Sequence, residues 1–148
     1  MKKLVLWIMT TILMLVLSGC GNTNIVKDGI LDLDKSISVG EAFDRYKYFK
    51  NVTWDDFKAD NGRDIVEVQG TLSQSYINEK NQIIQNKLKN VILTVQFQIN
   101  KDDTFEIYAI NIEMSGENGK VVNVGEGVSF ANINQLLLEI YQDKIPSF

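Results

Sequence analysis

The sequence has no histidine, one cysteine and one proline in 148 residues. The missing histidine removes the commonest general base near neutral pH and the commonest metal ligand. A lone cysteine has no partner for an internal disulfide, and zinc, copper and haem sites of the usual types lack donors. Serines are present, but without histidine they have little to activate them, and no serine–lysine dyad spacing is visible. No GxGxxG or GxxxxGK stretch is present to cradle a phosphate. Nor is there a basic cluster. Fifteen basic residues stand against 19 acidic ones, a net charge of −4. Affinity for nucleic acid is dominated by cationic contacts to phosphate, so no nucleic-acid partner is expected. Calcium, which needs only oxygen ligands, is the one common metal that composition leaves open. No cofactor is expected.

A long apolar run is also missing. The longest spans residues 4–17 and includes Thr10 and Thr11, short of the roughly 20 residues a spanning helix needs. Lys2 and Lys3 precede it and Leu17-Ser18-Gly19-Cys20 ends it. A charged start, a short apolar core and small residues before a cut describe a secretion signal. The ending resembles the lipobox of bacterial lipoproteins. That resemblance implies a diacylglyceryl thioether on Cys20, cleavage before it, and acylation of the new amino terminus. An uncleaved signal anchor and a cleaved chain with a free thiol are the competing readings. The second sits poorly with an oxidising compartment. One acyl chain, at about 0.8 kcal/mol per buried methylene, binds membranes marginally, whereas two or three hold stably.

Removing residues 1–19 leaves 129 residues and takes away two lysines, so the net charge becomes −6. That length suits one domain, and that charge disfavours adhesion to anionic lipid. The lipid itself must then hold the chain. The expected organisation is a signal peptide over 1–19, a small polar tether over 20–24 and a single α+β domain over 25–148. The expected location is the cell envelope: the outer membrane in a diderm, the outer face of the cytoplasmic membrane in a Gram-positive cell. Gly21 after the cysteine is permissive for outer-membrane sorting.

Within the domain, a short extended segment is expected around Gly29. Ser38-Val39-Gly40-Glu41 has capping-box spacing, and Val39, Ala42, Phe43, Tyr46 and Phe49 follow at helical spacing. This predicts a first helix ending near Asn51. Thr53 with Asp56 three residues on predicts a second, short helix carrying Trp54 and Phe57. Asn61-Gly62 marks a turn. Val66, Val68 and Leu72 alternate as one strand face. Residues 73–90 leave hairpin, helix and loop open. Val91, Leu93, Val95, Phe97 and Ile99 make the clearest strand, apolar on one face. Its partner over 104–114 changes apolar phase, which predicts a bulge near Ala109. A turn at 116–119 and an irregular edge strand over 121–128 follow. Ile133, Leu136, Leu137, Ile140 and Tyr141 give a C-terminal amphipathic helix. The sum is an α+β, two-layer fold: two N-terminal helices, an antiparallel sheet of three to four strands, and a C-terminal helix.

Candidate sites are few. Asp55, Asp56, Asp60 and Asp64 crowd one stretch, readable as a calcium site or an acid–base pair, or as a capped helix and a solvated turn. Their spacing is not that of an EF-hand loop. Phe43, Tyr46, Tyr48, Phe49 and Trp54 are either core or a platform for peptide or glycan. Tyr48 and Trp54 are the candidate partner-binding residues.

The stretch Val39-Gly40-Glu41-Ala42-Phe43, Tyr48-Phe49-Lys50, Trp54, Phe57, Gly62-Arg63 and Val66-Glu67-Val68-Gln69-Gly70 resembles a recurrent block in small, poorly characterised bacterial lipoproteins. Two helices before an antiparallel meander is similar in layout to envelope lipoproteins of the SmpA/OmlA type, from which the C-terminal helix departs. The resemblance implies no activity and carries no residue roles. The expected function is that of a non-enzymatic lipoprotein, anchored through Cys20 and binding an envelope protein partner. The alternatives are a phage or plasmid exclusion or immunity lipoprotein, and a hydrolase working with carboxylates alone.

Overall fold

The computed structural model describes residues 21–84, 88–116, 121–123 and 130–147. The signal segment with Cys20, all but Gly116 of the turn expected at 116–119, and the end of the strand expected over 121–128 lie outside them. The described order is α1 (Gly21–Asp28), α2 (Val39–Asp44), β1 (Phe49–Lys58), β2 (Asp64–Leu72), α3 (Gln74–Ile84), β3 (Leu88–Ile99), β4 (Phe105–Gly116), β5 (Val121–Asn123) and α4 (Phe130–Tyr141). This is an α+β arrangement. The strands pair antiparallel in sequence order, β1-β2-β3-β4-β5. The sheet therefore has five strands, one more than the upper sequence expectation, because β1 had been read as helix.

Alternation builds the sheet's buried face. Val68 pairs with Val95 and Val95 with Ile110, while Gly70 pairs with Leu93 and Leu93 with Ile112. These rows of apolar side chains point the same way and share one core with Val26 of α1, Phe43 of α2, Tyr76 and Ile77 of α3, and Leu137 and Ile140 of α4. The opposite face carries Glu67, Gln69, Thr94 and Gln96, partly or fully exposed. The phase change in β4 is a bulge. Gln96 pairs with Ala109 but Phe97 pairs with Ile107, so Tyr108 is the extra residue. Phe105 and Ile107 before it, and Ile110 and Ile112 after it, thereby reach the same face.

The first expected helix is short. Ser38 caps it, accepting the Glu41 N–H at 3.1 Å. Glu41 does not close a capping box; its carboxylate takes Arg45 at 2.6 Å. The helix ends at Asp44, and Phe49 already belongs to β1. The second expected helix is absent: Thr53, Trp54, Asp56 and Phe57 lie in β1. Residues of high strand propensity there, Val52, Thr53 and Trp54, find an antiparallel partner in β2, and pairing outweighs a local cap signal. Residues 21–24, expected as a tether, are the first turn of α1; the segment expected to be extended over residues 25–33 is helical to Asp28 and beyond it holds an isolated bridge between Leu31 and Asp34. Val26 is completely buried, so the helix is part of the core rather than a leash. Residues 73–90, left open by sequence, contain α3, whose Asn81 side chain clips β3 by bonding both the N–H and the carbonyl of Leu88 at 2.7 and 2.9 Å. The Asn61-Gly62 turn forms as expected, with Gly62 at φ 84°, a conformation glycine adopts without steric cost.

Candidate functional site

The aromatic residues singled out in sequence lie along one line. Tyr48 meets Tyr46 edge-on at 5.4 Å between centroids, and Tyr46 meets Phe49 at 4.8 Å. Phe49 stacks on Phe43 at 6.3 Å, and Phe43 meets Trp54 edge-on at 6.0 Å. Offset and edge-to-face pairs of this kind add about 0.5–1.5 kcal/mol each beyond area burial. The middle of the line is core. Phe43 and Tyr46 are buried, whereas the two ends, Tyr48 and Trp54, are half-buried. The structure therefore connects the two candidate partner-binding residues, but does not place them side by side.

Each end is held. The Trp54 indole N–H donates to Asp44 at 2.7 Å, Asp44 pairs with Lys27 at 2.7 Å, and the Lys27 ammonium sits 5.1 Å over the indole. This joins α1, α2 and β1 through one cation, one carboxylate and one ring. At the other end the Lys47 ammonium lies 4.9 Å over Tyr48 and 3.2 Å from Asp143. Bonding to Asp143 raises the Lys47 pKa.

The four aspartates do not converge. Asp55 and Asp56 are neighbours on β1 and so point to opposite faces. Asp56 accepts the Thr23 hydroxyl at 3.3 Å, Asp60 is exposed in the turn, and Asp64 pairs with Lys58 at 2.6 Å. Among the described residues no three acidic side chains gather as a metal site would require.

The sequence reading missed the clasp around Glu139, the only buried charged residue among those described. Its carboxylate accepts Gln135 and the Ser147 N–H, both at 2.9 Å. The hydroxyls of Tyr46 and Tyr76 donate to the carbonyls of Lys144 and Pro146, at 2.6 and 3.5 Å. The C-terminal segment is thus tied to the core by two tyrosines and a glutamate. A signal existed: Glu139 interrupts the apolar run from Leu136 to Tyr141. Burial pushes the phenols of Tyr46, Tyr76 and Tyr141 upward, and the Glu139 carboxylate adds to this at the first two. The Tyr141 hydroxyl is buried without a hydrogen-bond partner among the described residues.

Open surfaces among the described residues include the following two. One is a groove of about 680 Å³ lined by Leu31, Leu33, Phe105, Ile107 and Leu138 among others. The second is the outer edge of β1, ten residues long and last in the sheet, with no strand beyond it among the described residues. No described helix is long and apolar enough to cross a membrane. The chain matches no protein-family model, no curated protein and no solved structure.

Proposed function

We propose that the protein is a lipid-anchored envelope lipoprotein, held through Cys20, without catalytic activity of its own, that receives a protein partner along β1. The ten-residue edge of β1, without a further strand among the described residues, carries the reading. An unpaired edge offers a row of backbone donors and acceptors, and edges left open are templates for another chain. Partners that add a strand gain affinity from those main-chain bonds and specificity from flanking side chains. Tyr48 just before β1 and Trp54 within it are the flanking rings. The lipobox supports the anchor. The finer fold reading belongs to the same proposal: α1, α2 and α4 form one layer over the sheet's buried face, leaving the edge and the wet face for the partner.

The test is affinity capture from detergent-solubilised envelopes. One protein should be recovered with the wild type, reduced with Cys20→Ala, and lost with proline at Val52 or Thr53. Adjacent strand residues point their N–H groups in opposite directions, so one of these prolines removes an outward donor. Recovery of the same partner with both prolines, in variants with unchanged melting temperature, would refute the edge as the docking site. Labelled palmitate that fails to enter the wild-type chain would refute the anchor.

A further inference from the structure

The first described helix packs across one end of the sheet. Gly21, the first described residue, is already helical. Two residues on, the Thr23 hydroxyl bonds Asp56 near the end of β1. One turn further, Val26 is completely buried. At the end of α1, Gly29 lies so close to the Phe105 ring that a side chain at position 29 would overlap it. Phe105 belongs to the last row of the sheet, Lys58–Asp64–Ile99–Phe105. Helix α1 therefore runs across one end of the buried face, from β1 to β4, and is locked at both ends. Cys20 adjoins Gly21, and consecutive Cα atoms are about 3.8 Å apart. No slack separates an anchor on Cys20 from the sheet.

That end carries two of the large apolar side chains that stand in solvent. Phe57, on the face of β1 opposite Asp56, is 40 % exposed, and Ile30, next to Gly29, is 49 % exposed. The 59–63 turn and, two strands over, the 100–103 turn close the same end of the sheet. Its charges are mostly acidic: Asp28, Asp60, Asp102 and Asp103 are exposed there, beside Lys58, Arg63 and Lys101. Such a surface gains nothing from anionic lipid, so a zwitterionic headgroup layer suits it.

Resting on the lipoprotein reading above, we infer that the end of the sheet bearing Ile30, Phe57 and the 59–63 turn lies against the membrane, with Phe57 in the headgroup layer. An apolar ring at this boundary gains by burying its surface where headgroups meet acyl chains, as Trp, Phe and Leu do on interfacial helices. Strand rise of about 3.3 Å per residue puts Tyr48 roughly 30 Å along β1 from Phe57. The amino-terminal half of β1 is then the part a partner reaches, and Tyr48 is its outward ring.

The wild-type lipoprotein in phosphatidylcholine vesicles containing a photoactivatable diazirine lipid tests this. Mapped cross-links should fall on residues 57–63 and be several-fold rarer on 46–50 and 92–94. Phe57→Trp and Tyr48→Trp, each in a Trp54→Phe background with its melt recorded, give a second readout. Trp54 is the only tryptophan of the chain from Cys20 onward, so each variant carries a single probe. Brominated acyl chains should quench the tryptophan at position 57 and leave the one at position 48 bright. A chain that floats with the vesicles but shows no preference for 57–63, or quenches equally at both positions, overturns the orientation while the anchor stands. A chain that carries no acyl mass and does not float overturns the anchor, and the orientation with it.

Discussion

The two faces of the sheet are built by the same strands and obey opposite rules. On the buried face, Val66, Val68, Val91, Leu93, Val95 and Phe97 are almost without exposure and interlock with four helices. On the wet face, Glu67 accepts amides of both Gln69 and Gln96 at 2.8 and 2.7 Å, a ladder of polar side chains in water. Only one apolar residue of β2 breaks the rule there: Ile65 is buried on the wet side, apart from the main core. It is paired with Phe57 and Gln98. The main core among the described residues lies on one side of the sheet.

The largest effect expected from that contrast is alkaline. The phenols of Tyr46, Tyr76 and Tyr141, on the core side, are pushed upward by burial. The folded state keeps these protons where the unfolded chain releases them, so their stabilisation is whole below pH about 10 and falls as pH rises beyond it. A titration followed by phenolate absorbance and by circular dichroism should show these three ionising together with unfolding. Ionisation of all three in a chain that keeps its fold would contradict their place in the core.

Next is a pair of adjacent residues on opposite faces. Phe97→Ala should cost about 3–5 kcal/mol by denaturant unfolding, because it opens a cavity. Gln96→Ala, one residue away, opens no cavity and loses only its bond to Glu67, so it should cost about 0.5–1.5 kcal/mol. Equal costs would break the comparison. Smaller is Gly70→Ala. The Phe49 ring packs directly on Gly70, so an added methyl must push it away. The expected cost is about 1–3 kcal/mol, and a neutral result would mean that β1 gives way easily. Smallest on the core side is Trp54→Phe. It keeps an aromatic side chain, though a smaller one, and deletes the 2.7 Å bond to Asp44, a loss of about 0.5–1.5 kcal/mol. Asp44→Asn should then cost little more in the Trp54→Phe background than the Lys27 pairing alone accounts for, which a double-mutant cycle measures.

Legibility in the sequence followed the range of the interaction that decided each element. Strand β3 was readable because five apolar residues alternate without interruption, and the β4 bulge because its apolar phase slips by one. The Ser38 cap and the Asn61-Gly62 turn were readable because each is settled within four residues. Strand β1 was not. Phe43, Tyr46 and Phe49 fall at helical spacing, and Thr53 with Asp56 imitates a cap. What overrides both is a contact 21 residues away, the Phe49 ring on Gly70, together with nine paired positions against β2. Helix α1 was hidden for the same reason: its polar residues look like a tether until Val26 is placed in the core. Among the candidate site residues, Tyr48 and Trp54 were legible as aromatics but not as the two ends of one stacked line. Glu139 carried a visible anomaly, a charge inside an apolar helix face, whose meaning depended on where the C-terminal segment returns.

The sequence by itself determined the absence of histidine and of a cysteine pair, the acidic balance, the lipobox-like ending at Cys20, and the strict alternation of β3. These are properties of composition or of neighbours along the chain, and no folding is needed to state them. Only the tertiary structure decided that residues 49–58 are an edge strand, that the Cys20 neighbour Gly21 opens a core helix, and that Ile30 and Phe57 share the end of the sheet that this helix crosses. Those facts rest on side chains brought together from distant positions. Local propensity cannot supply the burial and pairing energy that outweighs it.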